Sequence, residues 1–309
     1  MKDDPVPLVE VVLSTYDGAA WLEAQIASIL GQTHGNLRLS VRDDGSRDGT
    51  PAMLAAWAER DARLSFRRGS RNLGPTGSFF RLLDRVGEDA AFVAFADQDD
   101  VWEADKIARA VTALSAVPAG VPGLYCARVV IVDEGLQRRG LSPLPRRGPG
   151  LANALVENIA IGCTSVLNRA ALDLLRAEWP APPVLHDWWA YQAVSALGQV
   201  IYDPRPALKY RQHGGNVTGA GYTPLDRLLG KVRRQLTGAQ SDLRRHQASE
   251  LRRLHAGRMT PRDRALIDDL LASEKRPADR LRYALRGGVH RQHWLDTLAY
   301  RLLYILRGV

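Results

Sequence analysis

The residues best able to do chemistry are carboxylates in short polar runs. Asp97, Asp99 and Asp100 fall within DQDD, directly after the apolar run AFVAFA. Three carboxylates this close repel one another unless a cation lies among them. Their hard oxygens suit manganese or magnesium, which would in turn hold the oxygens of a diphosphate. Solvated loop acids capping the next helix are the plainer alternative. Asp43 and Asp44 stand before Gly45 and Ser46. A carboxylate there can accept a hydrogen bond from a base imide or a ribose hydroxyl, and Gly45 permits a tight turn and close approach. A cap and turn before Pro51 explains Ser46, Asp48 and Thr50 well, but adjacent Asp43 and Asp44 poorly. Asp187 sits between His186 and the pair Trp188–Trp189. It is either an acid capping a helix start or a general base. His213 could ligate a metal and Arg211 could pair a phosphate, although a lone His is more often structural. Cys163 in IGCTS reads as a small buried residue rather than a nucleophile.

Elements of a particular kind must position these groups. Residues 9–14 (VEVVLS), 37–41, 64–67 and 91–96 are short, apolar runs that predict buried strands. Between them, Trp21, Leu22, Gln25, Ile26, Ile29 and Leu30 recur at helical spacing. Further helices are expected over 51–60, with Thr50 as N-cap and Pro51 at the first position, over 77–86 and over 103–117. Strand and helix alternating at this rhythm imply an α/β fold with a mainly parallel sheet and helices on both faces. The polar runs STYDG, DDGS and DQDD each follow a strand. Ligands of open parallel sheets bind outside the carboxyl ends of the strands, so these runs are expected to converge on one crevice. A strand at 124–132, a Pro-, Gly- and Arg-rich loop at 138–150 that could serve as a lid, and a strand-like QVIYD come next. Beyond Pro224 the chain reads as almost wholly helical.

The 309 residues, 45% hydrophobic and 25% charged, can build a core and exclude a disordered or low-complexity class. Two Cys cannot form a disulfide framework or a four-Cys zinc site. The opening MKDDPVP does not read as a secretory signal, and no apolar run reaches the length of a spanning helix. A cytoplasmic protein, soluble or peripheral on a membrane, is expected. The formal charge of +8 is uneven: residues 221–309 carry 19 Lys/Arg against 9 Asp/Glu, and residues 1–220 carry 23 against 25. The basic tail ends in LDTLAYRLLYILRGV, where Leu295, Leu298, Leu302, Leu303, Ile305 and Leu306 lie among Arg291, Arg301 and Arg307. Such a helix can lie in an anionic membrane interface, present a solvated face, or pack on the main domain. Zinc-finger spacing and an RNA-binding aromatic signature are both missing, so nucleic acid is not an expected partner.

In order and spacing, these pieces resemble the family 2 glycosyltransferases, inverting enzymes of the GT-A nucleotide-sugar fold. The likeness covers residues 8–217. STYDGAAWLEAQIASILGQT resembles the family's opening strand and helix, RDDGSRDGT its nucleotide-binding element and FADQDDVW its metal-binding D-x-D element. IGCTSVLNRAAL resembles the loop and helix before the catalytic base. LHDWW stands where the family carries an acidic pair, with His186 as a departure at the first position. YRQHGGNVTG resembles the late histidine element. The HDWW and YRQHGGN forms look most like the rhamnosyltransferase branch that serves bacterial surface polysaccharides.

The resemblance implies a Rossmann-like sheet in residues 1–220; the tail, 221–309, falls outside it and is expected from its own pattern to be a helical appendage. It implies that Thr15 and Asp44 contact the nucleobase or ribose with Asp43 in support, that Asn72 and Gly74 line the donor side, and that Asp97 faces the ribose. Asp99 would bind manganese or magnesium with Asp100 close by. His213 would complete the metal's coordination or contact the diphosphate. Asp187 would be the base and Trp188 a wall of the acceptor pocket. The implied partners are a UDP- or dTDP-sugar donor and a glycan or lipid-linked acceptor; the basic tail, outside the likeness, adds an anionic membrane as a candidate partner. A nucleotidyltransferase would carry a Gly-rich basic loop after the first strand, where this chain has STYDGAAW. An inactive nucleotide-sugar-binding scaffold on the same fold is the other rival.

Overall fold

The computed structural model describes residues 6–213, 239–273, 277–286 and 288–307. The first half alternates as the sequence predicts: β1 (Val9–Thr15), α1 (Leu22–Leu30), β2 (Leu37–Asp43), α2 (Thr50–Arg60), β3 (Leu64–Arg68), α3 (Gly74–Leu83) and β4 (Phe92–Ala96). Next come β5 (Val101–Trp102), α4 (Lys106–Ser115), β6 (Gly123–Val132), β7 (Arg138–Leu141), α5 (Leu151–Ala154), β8 (Val166–Asn168), α6 (Arg169–Ala177), α7 (His186–Leu197) and β9 (Gln199–Arg211). The tail adds α8 (Ala239–His255), α9 (Pro261–Ala272), α10 (Pro277–Arg286) and α11 (Trp294–Arg307).

One sheet runs in the order β3-β2-β1-β4-β8-β6-β9-β5, with β7 on the side of β6. Strands β3, β2, β1 and β4 are parallel, β8 is antiparallel to both neighbours, and β6 and β9 are parallel again. The sheet is therefore mixed and mainly parallel. Alternate residues of each strand feed opposite cores, as the two-residue period of a strand requires. Val9, Val11, Leu13, Ala94 and Ala96 face α1, α2 and α4, whereas Val12, Val93, Phe95, Leu124 and Cys126 face α3, α6 and α7.

Several elements differ from the sequence expectation. Helix α2 begins at Thr50 itself, and the Thr50 hydroxyl accepts the Gly18 N–H at 2.9 Å instead of capping its own helix. Helix α3 starts at Gly74, with Pro75 in its first turn, where a missing N–H costs nothing. The 138–150 segment is not a free loop: its first residues form β7 against β6, and Arg147 N–H and Gly148 O bond the Gln292 side chain. QVIYD is only the opening of β9, whose 13 residues run through Pro204 and Pro206; register shifts against β6 at Ala127–Val130 accommodate them. Cys126 and Cys163 are free and buried, as expected.

The tail is not a separate body. Ala248, Leu251, Met259, Ile267, Leu270, Tyr283, Tyr300 and Tyr304 belong to the same apolar cluster as Phe79, Leu172 and Trp189. Its inner side thus packs on the main domain, and its outer side exposes Leu295, Leu298, Leu302 and Leu306. The expected boundary between residues 220 and 221 lies outside the described residues, as does the stretch 214–219 of the late histidine element.

Candidate active site

Three loops leave the carboxyl ends of β1, β2 and β4, and side chains stitch them into one surface. Asp17 N–H donates to Ser46 Oγ at 2.9 Å, and Ala19 N–H to Asp48 Oδ2 at 3.0 Å. Arg47 N–H returns to Asp17 Oδ1 at 2.7 Å. Gln98 binds the other pair of loops: its Oε1 accepts from Thr15 Oγ1 at 2.7 Å and Tyr16 N–H at 2.8 Å. A Cβ at Gly18 would stand 2.3 Å from Gln98 Oε1 and 2.7 Å from Thr15 Oγ1, so a larger residue would displace the bond between those two side chains. From beneath, Gln25 of α1 donates to Asp97 O at 2.7 Å. The convergence expected from strand ends is thus built by residues on all three loops.

The predicted donor residues divide into those that face the crevice and those that hold it. Thr15 is buried, with its hydroxyl committed to Gln98. Asp43 is fully buried and accepts both the N–H and the hydroxyl of Ser46, which fixes the turn after β2. Asp44, expected to contact base or ribose, has both oxygens engaged inside the protein. Oδ2 accepts the N–H groups of Leu73 and Gly74 at 2.7 and 2.9 Å, and Oδ1 pairs with Arg42 at 2.8 Å. In this arrangement it shapes the donor-side loop. Gly74 has φ +70°, a left-handed conformation open to glycine, and Asn72 Oδ1 accepts its N–H at 2.7 Å.

The DQDD acids point to two different places. Asp100 is buried, near Asp97 and the Cys163 thiol. Lys106, fully buried on α4, donates to Cys163 O at 2.7 Å and lies over the Trp102 ring. Its charge acts on both Asp97 and Asp100. Burial pushes the Cys163 thiol up, so this inner cluster offers a protonated soft ligand, and burial also pulls the Lys106 ammonium well below the usual lysine range. A hard divalent ion fits it poorly. Asp99 turns the other way, and its Oδ2 lies 2.8 Å from His213 Nε2. A carboxylate oxygen and an imidazole nitrogen so placed could together ligate a divalent ion. Burial, then the Asp99 and Asp187 carboxylates, push Asp97 up to about 7. That shift marks where the charge of the β4 loop meets that of the α7 N-terminus.

Arg211, expected to pair a phosphate, is committed elsewhere. It is buried, donates to Asp99 O at 2.9 Å and to Glu134 O, and covers the Trp21 indole at 4.5 Å. It positions the Asp99 backbone. Trp21 also stacks on the His213 ring at 5.5 Å.

Asp187 stands in the first turn of α7, where a negative charge is favoured by the helix N-terminus. Its Oδ2 accepts from Asn158 at 2.9 Å and its Oδ1 from Trp188 N–H at 2.7 Å. A Cβ at Gly162 would come within 3.3 Å of Asp187 and 3.1 Å of His186 Nε2, so the Gly162 loop closes directly on Asp187. His186 is a support. It stacks on Phe79 at 4.0 Å, meets Phe95 edge-on, and burial lowers its pKa, which keeps it neutral. Trp188 is not a pocket wall. It is 2% exposed, and its indole N–H donates to Ala154 O at 2.6 Å inside the core. Helical phase explains this: beside Asp187 at the helix start, Trp188 turns inward with Trp189, Gln192 and Ala193.

Sequence reasoning did not find Gln98, Lys106, Asn158 or Gln247. Gln98 and Lys106 flank the acids in DQDDVWEADK, and a polar residue between acids was the available signal. Gln247 of α8 is fully buried, accepts Leu185 N–H at 2.9 Å and donates to Gln192 at 3.1 Å. No local pattern announces it.

A mixed, mainly parallel sheet with acid-bearing loops at its carboxyl ends defines a nucleotide-binding α/β transferase fold. The sequence model of glycosyl transferase family 2 matches residues 10–175, and the chain belongs to that family. It is a glycosyltransferase of the GT-A type. A relative, the dTDP-rhamnosyl transferase RfbG of Shigella flexneri, is 26% identical over 224 residues, 67% of this chain and 74% of that one. Among solved structures, S. aureus TarS residues 1–349, in complex with UDP-GlcNAc, aligns with TM-score 0.55 and 15% identity, covering 97% of this chain and 92% of that one. The mannosyltransferase PcManGT of Pyrobaculum calidifontis, in complex with GDP-Man and Mn2+, aligns with TM-score 0.53 and 18% identity, covering 97% and 87%.

Proposed function

We propose that this chain moves a sugar from a UDP- or dTDP-linked donor to a hydroxyl of a glycan or lipid-linked acceptor, with inversion, in bacterial surface-polysaccharide synthesis. The likeness to a dTDP-rhamnosyl transferase over most of both chains favours rhamnose as the sugar. The place of action is the cytoplasmic face of the membrane, where a lipid-linked acceptor would be met. The observation that carries the reading is that Asp99 pairs with His213 at 2.8 Å, while the Asp97 carboxyl beside it feels the charges of both Asp99 and Asp187.

Asp99 and His213 would hold a divalent ion, manganese or magnesium. When bound, that ion offsets the charge developing on the departing diphosphate. The protein does the rest. Asp187 accepts the proton of the acceptor hydroxyl while that oxygen forms a bond to the anomeric carbon and the bond to the diphosphate breaks. A single displacement needs one base and inverts the centre, unlike the paired carboxylates of retaining hydrolases. Asn158 and the Trp188 N–H occupy one lone pair on each Asp187 oxygen, which fixes the carboxylate and leaves acceptor capacity for the incoming hydroxyl.

The test is a melting panel with UDP, dTDP, GDP and CMP, each with and without manganese. A manganese-dependent rise with dTDP supports a deoxysugar donor, and one with UDP a hexose. No rise with any of the four would remove the donor-site reading.

A further inference from the structure

The last two helices carry a surface that the core does not use. On α11, Trp294, Leu295, Leu298, Leu302 and Leu306 are 64, 49, 48, 53 and 74% exposed. They recur at i, i+1, i+4, i+8 and i+12, one stripe of the helix. Its opposite side, Tyr300 and Tyr304, is buried with Tyr283 of α10. Beside the stripe, Leu281 and Leu285 of α10 are 45 and 72% exposed. Seven large apolar side chains on one helical pair form a patch beyond the scattered exposure usual for a soluble surface. The same stretch, residues 277–307, holds six Arg and two Asp, and Arg282 has 63% of its side chain exposed.

We infer that the outer face of α10 and α11 docks on an anionic bilayer, with the Leu stripe and Trp294 entering the headgroup–acyl boundary. This rests on the reading that the acceptor is lipid-linked and names the surface by which the enzyme meets it. Charge selects the occupant. A second copy of the chain would set the same net-positive stretch against itself across a two-fold contact. Anionic headgroups complement it instead, and an exposed apolar stripe with a Trp at one end, in a stretch rich in Arg, is the composition of an interfacial helix. Among the described residues no helix is long and apolar enough to cross a membrane, so this surface would hold the protein on the bilayer without spanning it.

Because the tail shares the main core, truncation would test folding rather than docking. The full chain is therefore compared with Leu298→Glu/Leu302→Glu, which changes only exposed positions. Flotation uses vesicles of phosphatidylglycerol and phosphatidylethanolamine, and of phosphatidylcholine alone. The wild type is expected to float with the anionic vesicles and less in high salt. The double variant is expected to lose about tenfold or more of that binding while keeping the wild-type melting response to nucleotide. Equal flotation of both proteins, or none of the wild type with anionic lipid, would overturn the inference. So would light scattering that shows a wild-type dimer and a variant monomer. Vesicle binding without any nucleotide response would leave this surface standing and remove the donor-site reading instead.

Discussion

Asp187→Asn separates chemistry from binding. The amide keeps the size of the carboxylate and can still accept the Trp188 N–H now held at 2.7 Å. It meets Asn158 less well, because Asn158 Oδ1 already accepts Ala160 N–H at 3.0 Å and the residue cannot turn over freely. One hydrogen bond to a charged group is lost, about 1–3 kcal/mol of stability. A domain with the usual 5–15 kcal/mol stays folded after that loss. A missing general base costs about 10²–10⁴ in rate, roughly 3–5 kcal/mol of transition-state stabilisation. The expected result is nearly unchanged donor affinity by calorimetry, and transfer, read as release of nucleoside diphosphate in the presence of acceptor, reduced by two to four decades. Transfer within tenfold of wild type would refute the base assignment. So would a fall in donor affinity as large as the fall in transfer.

Asp99→Ala is expected to leave a weak nucleotide response in the melt that no longer depends on manganese; an unchanged manganese effect would move the metal site elsewhere. Trp188→Phe removes the indole donor to Ala154 O and is expected to cost about 1–3 kcal/mol of stability without altering acceptor KM. A raised KM at wild-type stability would restore Trp188 to the pocket. His186 is held below its unfolded pKa of about 6.5 by burial, so the unfolded chain binds the extra proton first. Stability is then fully present above about pH 6.5 and falls as the pH drops through the window below it. His186→Phe, which keeps the stack on Phe79, is expected to flatten that fall in denaturant titrations; an unchanged slope would assign it to other groups.

The parallel half of the sheet was legible because each strand there is a short apolar run closed by a polar turn. β9 was cut short in the reading because Pro204 and Pro206 forbid a regular ladder, and only the shifted register of β6 tolerates them. β7 reads as loop because its four residues, RRGL, have no alternation and its partner is supplied by topology. Spacing located the acids but not their orientation. Asp99 and Asp100 are neighbours in sequence, yet one meets His213 and the other turns toward Lys106 and Cys163. Trp188 was misplaced for the same reason: one residue along a helix is a turn of about 100°. Asp44 was recognised as important, but its work on Leu73 and Gly74 depends on a loop that closes only in three dimensions.

The Gln247 contact changes what counts as one unit of this protein. The family model covers residues 10–175, yet Asp187, the proposed base, lies beyond it, as do His213 just after β9 and the tail amide that holds Leu185. A chain cut at the end of that model would lose Asp187. Tails exchanged between relatives would have to bring a matching partner for Leu185 N–H and Gln192, or leave both buried and unpaired. Recombination along this gene is therefore constrained well past the end of the family model, and chimeras should tolerate joins on the exposed stripe of α11 better than any join between α7 and α8.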